Sequence, residues 1–216
     1  MPINGCESMQ EKTMKNWTRE LADKDGKYGG GSAASVVGAF AASLAQFVFE
    51  LQEGKEKYQG KEKEIKDSIK KAEKLNEELL ELAEIDADAF EPVLPIFKLP
   101  QNTEAEKIER RQKLDAALEK AAEPPLEIIE KMRAVTSLYA QLLDLKVRGT
   151  IMDDVVVGLH FTKAAIEGGK INCMVNINLI KDEATKSRLT EEVDSLYETT
   201  LEQVDGLRKE AEEILG

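Results

Sequence analysis

Two aspartates, Asp86 and Asp88, stand among apolar residues in the sequence Asp-Ala-Asp-Ala-Phe at positions 86–90. A carboxylate with apolar neighbours can serve as a general base, because desolvation raises its affinity for a proton. A solvated helix end is the simpler interpretation, since aspartates are usually exposed. Both interpretations stay open from the residues alone.

Two further segments combine cations with groups that can transfer a proton. Residues 54–58 read Gly-Lys-Glu-Lys-Tyr, so Lys55 and Lys57 stand beside the phenol of Tyr58. Residues 148–154 begin with Arg148 and end in two aspartates, the second of which is Asp154. A solvated charge run is the alternative for the first segment, and plain helix capping is the alternative for the second.

Asparagines recur in an otherwise apolar run over residues 171–180, at Asn172, Asn176 and Asn178. Amides in an apolar run need hydrogen-bond partners, which favours a binding site here. The apolar residues alternate as in a strand, but a single strand would have nothing to pair with in this chain. We therefore predict a helix, in which Asn172 and Asn176 share one face.

Three consecutive glycines, Gly29, Gly30 and Gly31, precede Ser32 and a helix of small residues. Glycines permit positive φ and let the backbone approach a ligand closely. The N-terminus of the following helix favours an anion through its unpaired N–H groups. A flexible turn before a buried helix is the alternative, because the spacing matches neither the GxGxxG fingerprint nor a P-loop.

Composition excludes several kinds of chemistry. His160 is the single histidine, and Cys6 and Cys173 are the two cysteines, so neither a metal site nor a disulfide framework is predicted. The net charge of −12 argues against nucleic acid and anionic membranes as partners. Catalysis would then use carboxylates, lysines, tyrosines and backbone dipoles, and an anionic ligand would need a local basic patch.

Helices must position these groups, because 33% of the residues are charged and only 5% are aromatic, a balance that suits long helices packed by aliphatic residues. Residues 32–49 carry no charge and are rich in small residues, which predicts a buried central helix rather than a membrane span. We predict an all-α, up-and-down bundle of long amphipathic helices around this central helix. A flexible tail is expected over residues 1–12 and a single domain over residues 13–216.

Local signals predict several boundaries. Residues 103–106 form the pattern of a capping box, which starts a helix. The proline pair at 124–125 predicts a break or kink, and the glycine pair at 168–169 predicts a boundary before the asparagine run. Residues 1–12 lack the apolar segment of a signal peptide, so a cytoplasmic protein is expected.

The ordered set of motifs resembles the cyclodeaminase/cyclohydrolase family. This family comprises the C-terminal module of formiminotransferase-cyclodeaminase and stand-alone methenyltetrahydrofolate cyclohydrolases. No single motif is specific, but six occur in order over roughly residues 14–215. They are Tyr28 to Ala34, Gly54 to Tyr58, Asp86 to Phe90 with Lys98-Leu99-Pro100 and Thr103 to Glu106, Pro124 to Leu126, Asp153 to Gly158, and Asn172 to Asn176.

The sequence departs from the family pattern at four positions. Tyr28 replaces the proline before the glycines, and Gln101 replaces the lysine that usually follows Leu-Pro. In a shortened segment, Thr150 replaces an asparagine and Asp153 replaces a serine. The stretch between Arg148 and Asp154 is therefore expected to be re-shaped, which bears on substrate preference.

The resemblance implies a homodimeric helical bundle that binds a tetrahydrofolate derivative, with or without a polyglutamate tail. It implies no metal and no cofactor beyond that substrate. The chemistry would be closure of 5-formiminotetrahydrofolate to 5,10-methenyltetrahydrofolate with loss of ammonia, or hydrolysis of the methenyl bridge to 10-formyltetrahydrofolate. Both reactions pass through a tetrahedral carbon between N5 and N10.

The resemblance also implies roles for individual residues. The proton-transfer groups would be Asp88 or Asp154 as general base and Lys57, with Tyr58, as proton donor. The basic residues Lys55, Lys98 and Arg148 would meet the glutamate tail. The full set of substrate-binding candidates is Gly29, Gly30, Gly31, Ser32, Lys55, Tyr58, Asp86, Lys98, Arg148, Asn172 and Asn176.

Two other classes of protein fit the long charged helices. One is a non-catalytic helical module that dimerises or scaffolds a partner, and the other is a folate-binding protein without turnover. A scaffold has no reason to gather aspartates and asparagines near a glycine turn. The enzymatic interpretation therefore requires these side chains to meet above the three glycines, in one chain or across a two-fold axis.

Overall fold

The computed structural model describes residues 12–216, so all but the last residue of the expected flexible tail lies outside the described residues. Within this range the chain forms helices and connecting turns, with no strand, which confirms the all-α prediction. The helices are α1 Met14–Ala22, α2 Gly30–Glu50, α3 Glu62–Ala89, α4 Val93–Ile96, α5 Glu104–Asp144, α6 Met152–Leu179 and α7 Glu183–Leu215, with a 3-10 turn at Glu56–Tyr58.

The small-residue helix α2 is the centre of the bundle and packs on α3, α5 and α6. Its side chains are small because its neighbours approach closely: a Cβ on Gly38 would lie 2.6 Å from the sulfur of Met132. By length and composition α2 could cross a membrane, but 61% of its apolar window is buried inside the bundle. This agrees with the prediction of a buried central helix, since core helices pass the same test.

Successive long helices run in alternating directions, as predicted for an up-and-down bundle. The Ser68 hydroxyl near the start of α3 donates to Gln141 near the end of α5 (2.8 Å). Lys163 in the first half of α6 pairs with Asp205 in the second half of α7 (2.8 Å). The bundle thus has two ends. The glycine end holds the start of α2 and the ends of α3 and α6, and the far end holds the 3-10 turn, the end of α5 and the start of α6.

Helix α5 passes through its two prolines without ending, so the predicted kink does not divide it. Pro125 has no N–H and leaves the carbonyl of Ala121, four residues earlier, without its helical partner. The side-chain amide of Asn176 in α6 donates to that carbonyl (2.8 Å). A neighbouring helix therefore satisfies the group that the proline exposes.

The boundary predicted at residues 168–169 is wrong, because α6 continues through both glycines. They serve close packing instead. A Cβ on Gly168 would lie 2.7 Å from the Cβ of Ala34, and one on Gly169 would lie 3.0 Å from the carbonyl oxygen of Pro125. The predicted helix over the asparagine run is confirmed as the last third of α6.

Candidate functional site

A cleft of about 250 Å³ opens at the glycine end of the bundle. Its walls are the turn before α2, the last turns of α3 and the last third of α6, and one residue of α5 closes its base. It is lined by Lys27, Gly29, Gly30, Gly31, Asp86, Ala87, Phe90, Ala121, Asn172, Val175 and Asn176.

The glycine turn allows a close approach by a carboxylate. A Cβ on Gly31 would lie 2.2 and 2.4 Å from the two carboxylate oxygens of Asp86, a separation that real Cβ atoms do not show. The three glycines do not adopt the positive φ that glycine permits, since the positive-φ glycines in the described chain are Gly54, Gly60, Gly149 and Gly216. Gly31 is therefore required for space rather than for its backbone conformation.

Asp86 is the carboxylate inside the cleft. The hydroxyl of Ser32 lies 2.8 Å from the Ala83 carbonyl and 3.2 Å from Asp86 Oδ2, so it can donate to either oxygen. Burial raises the pKa of Asp86 above its ordinary value, while hydrogen bonds from the side chain and backbone of Ser32 act to lower it. A carboxyl with a raised pKa at a helix N-terminus can accept and return a proton under mild conditions.

The two asparagines that share a face in α6 form the opposite wall. The amide of Asn176 is held by the Ala121 carbonyl, as described above, and the amide of Asn172 donates to the carbonyl of Gly168 (2.8 Å). A Cβ on Gly30 would lie 3.4 Å from the side-chain oxygen and nitrogen of Asn172. The predicted meeting of Asp86, Asn172 and Asn176 above the three glycines is therefore present within one chain.

Asp88 lies outside the cleft, two residues after Asp86. Its carboxylate is 62% exposed and accepts from Lys27 Nζ at 3.2 Å. Lys27 also pairs with Glu84 at 2.6 Å, and Tyr28 donates its hydroxyl to Glu84 at 2.5 Å. Lys27 and Glu84 were not among the predicted site residues, although a lysine two residues before a glycine turn was the available signal.

The pKa values at this rim follow from the same contacts. Burial acts to lower the pKa of Lys27, but its hydrogen bonds to Glu84 and Asp88 outweigh that and raise it above the ordinary value. Burial acts to raise the pKa of Glu84, but its contacts with Lys27 and Tyr28 outweigh that and lower it. Lys27 is therefore a permanent cation at the rim of the cleft.

The other predicted site residues lie at the far end of the same chain. Lys57 Nζ lies 4.5 Å from the ring centre of Tyr58, and the Tyr58 hydroxyl is buried without a hydrogen-bond partner. Lys55 donates to Gln52 (3.1 Å) and Arg148 donates to the Val147 carbonyl (2.7 Å). With a rise of 1.5 Å per residue along α2, this group is about 30 Å from the glycine turn.

Asp154 and Lys98 are also away from the cleft. Asp154 lies in the first turn of α6, near the buried Tyr139, whose pKa is raised first by burial and then by the Asp154 charge. Lys98 lies on the exposed turn after α4, on a surface shared with Leu94 and Leu99. One chain therefore does not bring these two residues to Asp86.

Fold and cleft together define an all-helical bundle with a buried carboxyl, a pair of amides and a helix N-terminus around one polar cleft. A model of the formiminotransferase-cyclodeaminase family matches residues 13–195. Because this match covers most of the chain, the protein belongs to that family.

Individual relatives agree with this assignment. The chain is 30% identical over 185 residues to the methenyltetrahydrofolate cyclohydrolase of Methylorubrum extorquens, covering 86% of this chain and 88% of the relative. It is 26% identical over 194 residues to the formimidoyltransferase-cyclodeaminase of Sus scrofa, covering 89% of this chain but only 35% of that longer protein.

A solved structure supports the fold. The crystal structure of formiminotetrahydrofolate cyclodeaminase from Thermotoga maritima matches with a TM-score of 0.78 at 24% identity. The match covers 94% of this chain and 98% of the other.

Proposed function

We propose that this chain, an enzyme of folate one-carbon metabolism, hydrolyses 5,10-methenyltetrahydrofolate to 10-formyltetrahydrofolate. The observation that carries the proposal is the desolvated carboxyl of Asp86 in a cleft, in close contact with Gly31, a position that has no room for a Cβ. The 30% identical relative is named methenyltetrahydrofolate cyclohydrolase and matches over 88% of its length, which supports the choice of reaction.

In this reaction Asp86 acts as the proton-transfer group. It takes one proton from water as the water oxygen bonds to the bridge carbon, which gives a neutral tetrahedral adduct. The remaining hydroxyl proton then moves to N5 as the C–N5 bond breaks, so the formyl group stays on N10 and one proton is released overall. The carboxylate also favours the positive charge of the methenyl bridge.

The walls of the cleft provide binding groups. The amides of Asn172 and Asn176 lie where they can recognise the polar edge of a pterin, and the N–H groups of the first residues of α2 can donate to an oxygen of the ligand. No step of this scheme requires a metal or a cofactor other than the folate. Among residues 12–216 no group of three or more His, Cys, Asp or Glu is arranged to hold a metal ion.

Cyclodeamination is the second candidate, favoured by the names of the Sus scrofa relative and the Thermotoga maritima structure. N10 would attack the carbon of the protonated formimino group, Asp86 would take the N10 proton and return it to the departing nitrogen, and that nitrogen would leave as ammonia. The tetrahedral carbon is the same in both reactions, so the same cleft serves either one. Comparison of initial rates on the two substrates decides between them.

We further propose that the protein acts as a homodimer, through an apolar face on α2 and α6. On α2 this face shows apolar residues at alternating steps of three and four, as in packed helix pairs, and on α6 the same spacing is interrupted at Gly168. Phe40 is 40% exposed, Ile171 is 63% exposed and Val175 is 57% exposed. The apolar face consists of Val37, Phe40, Leu44 and Phe47 of α2, Leu51 directly after it, and Val157, Phe161, Ala164, Ile171 and Val175 of α6.

The α2 part and the α6 part of this apolar face lie side by side, since the ring centres of Phe40 and Phe161 are 6.4 Å apart. Helix α5 contacts both helices. Val175 belongs both to the apolar face and to the lining of the cleft. A second copy on this face would therefore wall the cleft as well as cover the apolar side chains. Uncovered, a face of this size would be unusual for a monomer.

A two-fold axis perpendicular to the helices would place the far end of one protomer beside the cleft of the other. Within one chain, Asp86 is about 30 Å from Asp154, Arg148 and Lys57, as the rise of 1.5 Å per residue along α2 shows. In the dimer, the partner's copies of these three residues would approach Asp86. The buried, unpartnered hydroxyl of Tyr58 belongs to the same far-end group. The homodimer thus accounts for site residues divided between the two ends.

The test of the catalytic proposal is the loss of methenyl absorbance when the purified protein is added to 5,10-methenyltetrahydrofolate. Asp86→Asn keeps the shape and the Ser32 contact, and we expect its kcat to fall by at least about 100-fold, the usual contribution of a general base. Asp25→Asn, on an exposed loop, is the matched control. Full turnover by Asp86→Asn would refute the role of Asp86.

Wild-type protein also separates the alternative classes. Turnover identifies an enzyme, whereas binding of folinate without turnover identifies a folate-binding protein. If a thermal-shift assay detects no binding of folinate either, the chain is a helical scaffold and the proposed function is rejected.

The test of the shared site is complementation between two inactive variants. Asp86→Asn and Asp154→Asn homodimers are mixed, unfolded together and refolded. Because a two-fold dimer that shares residues regains one intact site per heterodimer, the mixture should recover about a quarter of wild-type activity. Recovery of no activity by a refolded mixture would reject a site shared between two protomers, and a fully active Asp154→Asn would remove Asp154 from the site.

A further inference from the structure

We propose that Lys27 binds the anionic glutamate tail of the folate. In the free protein Asp88 forms an ion pair with the Lys27 ammonium, and this pair breaks when the glutamate tail binds. The geometry that points to this is a cation at the rim of the cleft, held between one anchored carboxylate and one exposed carboxylate. The inference rests on the proposed function, because it names a contact of the same ligand.

Lys27 has the right position for this contact. It lines the cleft together with Asp86 and the glycine turn, and among residues 12–216 it is the only cation in that lining. The three residues first expected to meet the glutamate tail lie elsewhere in the chain, as described above. In a protein of net charge −12, an anionic tail needs such a local cation to approach at all.

Glu84 is the fixed partner of Lys27. It lies 2.6 Å from Lys27 Nζ with its side chain 20% exposed, and it receives the Tyr28 hydroxyl at 2.5 Å. Tyr28 is 6% exposed, packs on the ring of Trp17 at 5.6 Å and receives Lys12 at 2.9 Å. Lys27 and Tyr28 therefore hold the Glu84 carboxylate, and Trp17 and Lys12 in turn hold Tyr28.

The tyrosine in this network replaces the proline of the family pattern. A proline at position 28 would have no hydroxyl to donate, so Glu84 would lose one of its two partners. The tyrosine at position 28 thus has a structural consequence, which is to fix Glu84 and, through it, the Lys27 ammonium beside the cleft.

Asp88 is the exchangeable partner. Its carboxylate is 62% exposed, it lies 3.2 Å from Lys27 Nζ, and Lys27 is its only side-chain partner among residues 12–216. An exposed ion pair contributes little, because water solvates the freed carboxylate. A ligand carboxylate can therefore replace Asp88 at Lys27 with little penalty, while Glu84 keeps the ammonium at the rim.

The experiment measures binding, so that it does not depend on turnover. Isothermal titration of the full chain is performed with folinate, with folinate triglutamate and with a tail-free 5-formyltetrahydropterin. We expect Lys27→Met to weaken folinate binding about tenfold and to leave the tail-free pterin unchanged. We expect Asp88→Asn to bind folinate severalfold more tightly than the wild type, because the competing carboxylate is gone.

Controls separate charge from structure. Lys24 and Asp25 form an ion pair at 2.6 Å in the same loop, and their side chains are 85% and 76% exposed. The control variants Lys24→Met and Asp25→Asn should each bind folinate as the wild type does. Lys27→Arg keeps the charge and should retain most of the affinity. Thermal melts identify any variant that binds poorly because it is unfolded.

Three results would overturn the proposal. Equal folinate binding by Lys27→Met and the wild type would remove Lys27 from recognition. An equal loss of tail-free pterin affinity would show that Lys27 acts on the shape of the cleft. Unchanged or weaker binding by Asp88→Asn would reject the exchange. Absence of binding of any of the three ligands by the wild type would instead reject the proposed function itself.

Discussion

Replacement of Gly31 by alanine tests whether the close contact with Asp86 sets the geometry of the cleft. The added Cβ would lie 2.2 Å from one carboxylate oxygen and 2.4 Å from the other. An ordinary contact needs about 3.4 Å or more, so the carboxylate must move by about 1 Å. A shift of this size is enough to disturb the contact between Asp86 Oδ2 and the Ser32 hydroxyl, which lie 3.2 Å apart.

Both stability and activity should fall. Overpacking of this kind typically costs about 1–3 kcal/mol, which corresponds to a decrease in Tm of roughly 2–4 °C per kcal/mol for a chain of this size. A displacement of about 1 Å in a proton-transfer group can reduce kcat about 100-fold. Gly206→Ala is the control, because its Cβ would meet no atom within 4 Å, and it should stabilise α7 by about 0.5–1 kcal/mol.

A double-mutant cycle decides whether Asp86 is the cause. Urea unfolding is measured for Gly31→Ala in the wild-type background and in an Asp86→Ala background. Because Asp86→Ala removes the oxygens that clash, Gly31→Ala should then be neutral or slightly stabilising, and the coupling free energy should be about 1–3 kcal/mol. An equal destabilisation in both backgrounds would refute the steric argument.

Three further predictions concern the surroundings of the cleft. Ser32→Ala removes a hydrogen bond that lowers the pKa of Asp86. Because the carboxylate form of Asp86 is the active one, the acidic limb of the pH–rate profile should move to higher pH. An unchanged acidic limb would mean that another group titrates there. Asn176→Leu should destabilise the protein by about 1–3 kcal/mol in urea unfolding, because the Ala121 carbonyl freed by a proline loses its donor, and a neutral effect would contradict this account. Burial raises the pKa of Cys173 to about 12, so peptide mapping should find it unmodified by iodoacetamide at pH 8 in the folded protein and modified after unfolding.

Local features of the sequence were sufficient for most of the fold. The absence of charge over residues 32–49 and the capping box at residues 103–106 fix helices through interactions within a few residues, and both elements are present. The two wrong or incomplete expectations involve prolines and glycines. A proline ends a helix or is tolerated depending on whether a neighbouring helix supplies a hydrogen-bond donor for the freed carbonyl. A glycine in a helix is retained where a neighbouring helix approaches closely, and neither condition can be derived from the nearby sequence.

The sequence by itself determined the family, the helical class and three of the residues that line the cleft, namely Asp86, Asn172 and Asn176. These residues lie on regular helices whose apolar faces leave little choice of orientation. Only the tertiary structure decided which aspartate is desolvated, because Asp86 and Asp88 are two residues apart and a helix directs them to different sides. It also decided that Lys27 is the cation of the cleft, since a lysine in a loop is positioned by Glu84, a residue far away in the chain.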